Sequence, residues 1–566
     1  MPTDAPVFSL LWLDGYPHSP SQHDTFVATD LNLTRLIRSL SLSPHYEAYV
    51  SGILLLLTTD IDTIRYRQAV IADLLQNPEL VKDLTVLLEE IIALESYLSA
   101  PQWKDNLLRQ VAWRLSELEH YLDTVLALDD ILSRTGDKLQ SRAFQQLRQS
   151  IRATVESETF QHLQHELPEL LPRIRAIRSI TVAINLDAEL RPISAALLEA
   201  KTDNYINVSM ISRLFGMLLP DDNKEEENEM LGKVHSARRI KGVSSEQVEL
   251  RNRNSPFMPQ LFKDLSDLLD ETSRPIAKAL QKYTQINSQP LIALKSDIAF
   301  YLGAVKLIQR LHDAGLPMSQ PKPLAMNRRE NHLDGLYNIN LALQHLKKSS
   351  HTQDIVGNDL QFGDNGRIFI LTGPNQGGKT TYLQAIGLAQ ILFQAGLHVP
   401  SISACMSPVD AIHTHFATEE RPNIEAGRLG EEARRLNTIF QHATRHSLLL
   451  LNESLASTAA TESLYLAQDV VKALRLLGVR AIFATHLHEL AASADIMNSE
   501  TEGDSKIISV VSQVQIESGN NGQQIRRTYK IVPSPPMSKS YAIELAARFG
   551  ISFKQLAVLL KERDAI

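Results

Sequence analysis

One stretch of the sequence places glycines, a lysine and a hydroxyl side chain at the spacing of a phosphate-binding loop. The pattern G-x-x-x-x-G-K-[ST] runs from Gly373 to Thr380. Glycines let successive backbone N–H groups turn inward around phosphate oxygens. Lys379 is placed to reach the β- and γ-phosphates, and the Thr380 hydroxyl to ligate Mg²⁺. We therefore predict an ATP-binding loop formed by Gly373, Pro374, Asn375, Gln376, Gly377, Gly378, Lys379, Thr380 and Thr381.

A second group of candidate residues follows an apolar strand pattern at Ser447–Leu451. A nucleotide hydrolase of this kind needs an acidic pair at this point, one residue for the Mg²⁺ shell and one to polarise the attacking water. The pair here is Asn452-Glu453. Glu453 is available as the general base, although it could also be an ordinary acid at a helix start. Asn452 is neutral, so it can contact the metal only through a bound water.

Histidines near two other predicted strands are the remaining candidates. The strand at Ala481–Ala484 is followed by Thr485-His486-Leu487-His488-Glu489. A histidine just past a strand end can contact a γ-phosphate, so His486 is predicted to lie in the same site. A metal site is the other interpretation, but zinc would need a third ligand. His413-Thr414-His415 is predicted to be a strand with surface histidines.

The elements that position these residues divide the chain into a helical part and an α/β part. We predict an N-terminal segment at 1–40, an α-helical part at 41–320 with an insertion near 179–255, and an α/β P-loop ATPase domain at 324–566 with C-terminal helices. The long helices could form a lever or stalk as easily as a compact bundle. Apolar periodicity predicts helices over 80–98, 108–132, 138–165 and 256–314. Strands are predicted at Ser179–Asn185, Ile368–Leu371, Ser447–Leu451, Ala481–Ala484, Ile507–Val514 and Arg527–Ile531.

A basic stretch at Lys233–Arg253 follows an acidic one at Asp221–Met230. One interpretation is a surface hairpin whose charges balance those of the acidic stretch. The other is a tip that contacts DNA phosphates. In that case the candidate contacts are Arg238, Arg239, Lys241, Arg251 and Arg253.

Composition excludes several classes of protein. Cys405 is the only cysteine among 566 residues, which rules out a disulfide framework and a cysteine-based zinc finger. The longest apolar runs are far shorter than the ~18 residues that span a bilayer. No signal-peptide pattern opens the chain, so we expect a cytoplasmic protein with no membrane partner. The net charge of −8 does not by itself point to nucleic acid.

Taken together, these motifs resemble the MutS family of DNA mismatch-repair ATPases. The resemblance is strong over about 325–555 and weaker over about 40–320. It implies that the α-helical part at 41–320 is a core and lever domain and that its insertion near 179–255 is clamp-like. It is carried by the phosphate loop with its Asn375, double glycine and Thr381, by Asn452-Glu453, by Ala484-Thr485-His486 with Glu489-Leu490, and by Ser538-Lys539-Ser540-Tyr541.

The resemblance implies an ABC-type ATPase that works as a homodimer with composite ATP sites and uses ATP and Mg²⁺. Its lever arms would transmit the nucleotide state to a clamp on duplex or branched DNA, in DNA repair or recombination. Glu453 would be the general base and His486 the γ-phosphate switch. Lys379 would bind the phosphates, and Thr380, with Asn452 through water, would hold the metal.

The chain also departs from the family pattern, which leaves other functions open. We expect the N-terminal mismatch-reading and connector domains to be absent, so mismatch specificity is not implied. Asn452 stands where the family has an acid, and Gly427 where it has a signature serine. The alternatives are a nucleotide-gated dimerisation switch with a protein partner and a relative that binds ATP without hydrolysing it. The absence of a Leu-Ser-Gly-Gly-Gln sequence argues against transporter-type ABC proteins.

Overall fold

The structure is a computed structural model of the 566-residue chain. It describes residues 9–13, 26–98, 107–175, 179–186, 192–201, 274–347, 355–416, 427–519, 522–536, 550–551 and 553–563. The chain is rich in helix and contains mixed sheets. It divides into two compact units, the first formed by 1–88, 131–148 and 293–566 and the second by 89–130 and 149–292. No helix among the described residues is both long and apolar enough to cross a membrane.

The first unit contains the predicted α/β fold. Its larger sheet contains six strands, which in spatial order are β12 (Gly522–Pro533), β11 (Ile507–Gly519), β6 (Ile368–Thr372), β10 (Arg480–Ala484), β9 (Leu448–Asn452) and β8 (Ile412–Phe416). All of its neighbouring strands are parallel except β11 and β12, which form an antiparallel pair. The five strands predicted for this domain are confirmed.

A smaller sheet of the same unit is formed by four strands between residues 322 and 406, in the order β3-β7-β4-β5. Its strands are β3 (Lys322–Pro323), β4 (Asn331–Leu336), β5 (Asn358–Phe362) and β7 (Ser403–Met406). The helices that follow residue 288 are α9 (Gln289–Asp313), α10 (Ile339–Lys347), α11 (Lys379–Gln394), α12 (Gly427–His442), α13 (Ala460–Leu477), α14 (His488–Ala492), α15 (Ala494–Glu500) and α16 (Phe553–Glu562).

The central strands are apolar except for one terminal residue each, because helices cover the sheet. Every residue of β6, β9 and β10 is buried. One core cluster joins Ile370, Leu451 and Phe483 to apolar side chains of α12, α13, α14 and α15. Strands that are buried on both faces do not alternate between apolar and polar residues. They can therefore be predicted from the sequence as short apolar runs.

Earlier helices form much of the rest of the chain. They are α1 (Val27–Asp30), α2 (Leu33–Leu40), α3 (Glu47–Leu55), α4 (Ile61–Gln76), α5 (Pro78–Leu98), α6 (Leu107–Thr135), α7 (Arg142–Val155) and α8 (Glu158–Arg175). The predicted strand near 179 is confirmed as β1 (Ser179–Leu186), which pairs with β2 (Pro192–Lys201) in an antiparallel hairpin. The remainder of the predicted insertion lies outside the described residues.

Two of the predicted long helices are interrupted. The helix predicted over 138–165 breaks after Val155, because the Ser157 hydroxyl accepts a hydrogen bond from the Phe160 N–H and starts a new helix. Within 256–314, residues 274–280 are helical, but the next long helix begins only at Gln289. There the Asn287 side chain accepts from the Gln289 N–H. Side-chain caps of this kind are weak signals beside a long apolar periodicity.

A close helix contact in the first unit gives a stability prediction. A Cβ added to Gly303 of α9 would lie 1.8 Å from the carbonyl oxygen of Leu40. Gly303→Ala should therefore lower the free energy of unfolding by at least about 1–3 kcal/mol, as overpacking does. Gly52 of α3 is the matched control, since its added Cβ meets nothing within 4 Å. Urea denaturation of both variants tests the contact, and equal stability of the two would contradict it.

Candidate functional site

The phosphate loop connects β6 to α11, as its sequence predicts. Gly378 caps the helix in the left-handed region at φ 91°, and Gly373 has φ 144°. The Lys379 ammonium folds back and donates to the carbonyl oxygens of Gly373 at 3.0 Å and Pro374 at 3.2 Å. Burial lowers the pKa of Lys379, and the nearby charge of Glu453 opposes this shift. The loop thus holds a buried cation beside the N-terminus of a helix, which is an arrangement that attracts anions.

Strand β11 supports the loop from behind through a residue that the sequence analysis did not identify. The Ser512 hydroxyl is buried and donates to the Gly377 carbonyl oxygen at 2.6 Å. A Cβ added to Gly377 would lie 2.8 Å from that hydroxyl oxygen, and one added to Gly373 would lie 2.8 Å from the Ser512 Cβ. Both glycines are therefore required by the close approach of β11 as well as by any phosphate.

Strand β12 adds two more residues that were missed. Arg527 donates to the Gln376 side chain at 3.0 Å. Tyr529 has a positive φ of 57°, and its ring lies 3.4 Å from where a Cβ of Gly378 would stand. No local motif marks these residues, and only the pairing of β11 with β12 brings them to the loop.

The loop opens onto a groove of about 1170 Å³. Its polar floor is the loop itself, and Glu453, Arg527 and Lys530 also line it. Apolar residues also line the groove, and a mixed lining of this kind suits a nucleotide with a charged and an uncharged end. The apolar residues that line the groove include Leu336, Tyr337, Leu341, Val356 and Val514.

The predicted metal-binding residues lie together at the end of β9. The Thr380 hydroxyl donates to Asn452 Oδ1 at 3.3 Å. Both are oxygen donors, and Mg²⁺ commonly keeps several waters and takes few protein ligands beside substrate phosphates. This pair therefore fits Mg²⁺, although Asn452 brings no charge. Among the described residues, no group of three or more His, Cys, Asp and Glu side chains is placed to hold a metal ion by itself.

Glu453 and His486 meet in front of the loop. His486 Nε2 lies 2.7 Å from Glu453 Oε1, with side-chain exposures of 41% and 37% respectively. The hydrogen bond to His486 lowers the pKa of the Glu453 carboxyl, with smaller help from the charge of Lys379 and against partial burial. The carboxyl is therefore ionised at neutral pH and able to accept a proton.

Sheet register explains why residues so far apart in sequence converge. In parallel strands the carboxyl ends lie at one edge of the sheet, where α/β folds bind their ligands. The Glu453 N–H donates to the Ala484 carbonyl at 2.8 Å, and the Thr485 N–H donates to the Leu371 carbonyl at 2.9 Å. The ends of β9, β10 and β6 are thereby aligned. Lys379, Glu453 and His486 all lie at this edge.

The interpretation of His413 and His415 as surface residues is wrong. Both are buried, at 5% and 2% exposure, although β8 is the edge strand of its sheet. Helices α1 and α12 pack against β8 and cover it. The prediction of the strand itself is confirmed, but no local pattern indicates that this edge is covered.

Several predicted residues lie outside the described part of the chain. These are the DNA-contact candidates Arg238, Arg239, Lys241, Arg251 and Arg253, and the stretch Ser538-Lys539-Ser540-Tyr541. Helix α12 begins at Gly427, the position expected to align with a signature serine.

Two family models match the chain over separate regions. The model of the MutS2 N-terminal domain matches residues 59–314, and that of MutS domain V matches residues 369–558. The second region contains the phosphate loop from Gly373 onward, Glu453 and His486. The first corresponds to most of the predicted helical core and lever.

Individual relatives match a shorter stretch. The "Endonuclease MutS2" of Thermus thermophilus is 30% identical over 212 residues, which is 37% of this chain and 27% of that protein. The "DNA mismatch repair protein MutS" of Streptococcus pneumoniae is 29% identical over 213 residues, 38% of this chain and 24% of that protein. The matches thus span about a quarter of these relatives.

Proposed function

Because this chain belongs to the MutS family, we propose that it binds and hydrolyses ATP to open and close a clamp on duplex or branched DNA. The observation that carries the proposal is the meeting of Lys379, the Thr380–Asn452 pair and the Glu453–His486 pair at one sheet edge. The names of the relatives, a mismatch repair protein and an endonuclease, favour a role in DNA repair. Mismatch specificity is not part of the proposal.

Nucleotide binding would use the loop and the groove. The β- and γ-phosphates would take the place of the Gly373 and Pro374 carbonyls as partners of Lys379, a charge-assisted contact stronger than the present ones. The adenine base of ATP would lie against the lining residues Tyr337 and Leu341. Thr380, with Asn452 through a bound water, would hold Mg²⁺, which when bound neutralises charge that develops on the transferred phosphoryl group.

Hydrolysis would use the pair in front of the loop. The ionised Glu453 would accept a hydrogen bond from the attacking water and orient it for in-line attack. His486 would hold that carboxylate and meet the γ-phosphate. Because both side chains are more than a third exposed, a second copy of the chain would be needed to exclude water from the site. This exposure supports the proposed homodimer with composite ATP sites.

A second candidate function is a nucleotide-gated dimerisation switch with a protein partner. It is favoured by Asn452, since two neutral donors leave the metal without a protein carboxylate. The net charge of −8 is in keeping with it. The two candidates differ in DNA binding, so a DNA titration separates them.

The experiment is a fluorescence anisotropy titration of the purified chain with homoduplex, mismatched and branched DNA at ~50 mM salt, repeated as salt is raised. Phosphate contacts predict that log K falls linearly with log salt, with a slope of about −0.9 per contact. Binding to branched or plain duplex supports the clamp. No binding to any of the three supports the dimerisation switch.

The basic stretch gives a prediction within that titration. Replacing Arg238, Arg239, Lys241, Arg251 and Arg253 by alanine should weaken binding and reduce the salt slope by up to about 4–5. The matched control replaces five other arginines, whose side chains are more than half exposed, by alanine. It should change the salt slope less. An unchanged slope in the first variant would show that this stretch does not contact DNA. The control positions are Arg65, Arg134, Arg152, Arg328 and Arg434.

A further inference from the structure

A buried hydrogen bond lies directly behind the turn that carries Glu453. The Nδ1 of His415, on β8, lies 2.7 Å from the hydroxyl oxygen of Ser454. Both side chains are only 2% exposed. The same hydroxyl lies 3.3 Å from the carbonyl oxygen of His415. Since Ser454 follows Glu453 in the sequence, these contacts fix the backbone one residue beyond the carboxylate.

The backbone of this turn is strained. φ is 55° at Glu453 and 64° at Leu455, in the left-handed region that residues with a side chain rarely adopt. Such conformations persist only where the surroundings hold them, and they concentrate at functional sites. The turn therefore needs restraints on either side of Glu453.

Two neighbouring strands supply those restraints. On one side, the Glu453 N–H donates to the Ala484 carbonyl at the end of β10. On the other side, Ser454 bonds to His415 at the end of β8. Strand β9 lies between β10 and β8 in the sheet. The turn is thus held from both of its neighbours, once through the backbone and once through a side-chain pair.

His415 is itself well placed to act as a fixed anchor. Burial, together with the nearby charge of Arg435, lowers its pKa to about 4, so the ring is neutral at pH 7 and carries no charge into the core. Arg435 of α12 donates to the Thr414 carbonyl at 2.7 Å and to Asp30 at 2.6 Å. These bonds tie the end of β8 to two helices and leave the imidazole little freedom.

We propose that His415 and Ser454 are positioning residues that hold the Glu453 carboxylate at the place where the attacking water must be oriented. The inference rests on the proposed role of Glu453 as general base. The pair would act through the backbone of the turn rather than on the nucleotide. Its loss should therefore slow hydrolysis without weakening nucleotide binding.

Single-turnover hydrolysis and nucleotide affinity of two variants, each lacking one partner, test the proposal. Ser454→Ala and His415→Phe should each lower the hydrolysis rate by about 10–10²-fold, as small misplacements of catalytic groups do. The dissociation constant for ATP should stay within about twofold, because an interaction made only in the transition state is lost. Ser454→Thr keeps the hydroxyl and should restore most of the rate.

His413→Phe is the matched control, since His413 is a buried histidine two residues earlier on the same strand. It should hydrolyse ATP faster than His415→Phe. The double variant Ser454→Ala/His415→Phe should be about as slow as the slower single variant, because each single variant already removes the same hydrogen bond between the two side chains. The proposal would be overturned by unchanged hydrolysis in the single variants, or by a loss of ATP affinity as large as their loss of rate. It would also be overturned if the two losses of rate multiplied in the double variant.

Hydrogen exchange at residues 453–456 provides a readout that does not depend on turnover. Ser454→Ala should speed exchange there relative to the unchanged chain, and Ser454→Thr should not. If the unchanged chain hydrolyses no ATP, the proposed function fails. Hydrogen exchange still shows whether the bond between Ser454 and His415 restrains the turn. Equal exchange in Ser454→Ala and the unchanged chain would overturn the inference whether or not the ATPase proposal holds.

Discussion

Lys379→Ala should abolish ATP binding at concentrations that saturate the unchanged chain. The lysine is the buried cation of the phosphate loop, and it already donates to two loop carbonyls. Its removal deletes charge-assisted bonds to the phosphates, each worth about 1.5–3 kcal/mol. Two such bonds correspond to a loss of at least about 10²-fold in affinity. Equilibrium binding of a fluorescent ATP analogue measures it.

The control for this variant is Lys472→Ala. Lys472 lies on α13, away from the loop, and pairs with Glu500 of α15. It should bind the analogue as the unchanged chain does, since surface ion pairs contribute little. Equal affinity of Lys379→Ala and the control would show that the loop does not bind the nucleotide through this lysine.

Glu453→Gln should bind ATP normally and lose hydrolysis by about 10²–10⁴-fold, the usual contribution of a general base. Glutamine keeps the size of the side chain and an oxygen that can accept from His486, but it cannot take a proton at neutral pH. The variant should therefore stop with ATP bound and accumulate as the closed dimer. Sedimentation with ATP and Mg²⁺, beside single-turnover hydrolysis, reports both effects.

Glu462→Gln serves as the control because Glu462 is exposed and lies in the first turn of α13, the helix that follows Glu453. It should hydrolyse ATP as the unchanged chain does. Normal hydrolysis by Glu453→Gln would show that another group is the base. Weak ATP binding by Glu453→Gln would instead indicate that the carboxylate supports the phosphate loop and has no separate part in the chemistry.

The central sheet could be predicted because its determinants are local. Buried parallel strands leave uninterrupted apolar runs, and the loop between β6 and α11 needs glycines and a lysine at fixed spacing. The neighbourhood of Glu453 and His486 follows from the same logic, since each comes just after a strand end. Their direct hydrogen bond was not predicted.

What could not be predicted depends on contacts between distant parts of the chain. Ser512 lies 135 positions from Gly377, whose carbonyl it supports, and serine in a strand carries no signal of that role. The burial of His415 depends on helices α1 and α12, which are far apart in sequence. Residues 1–88 and 131–148 belong to the same unit as the phosphate loop, and no local pattern in the sequence marks this association.

The most direct test is steady-state ATP hydrolysis by the purified chain, with and without linear and branched duplex DNA, beside the Glu453→Gln variant. We expect turnover that DNA stimulates and that Glu453→Gln abolishes, which would also show that Asn452 is tolerated in place of an acid. ATP binding with no turnover under any of these conditions would contradict a DNA-dependent ATPase and favour the dimerisation switch.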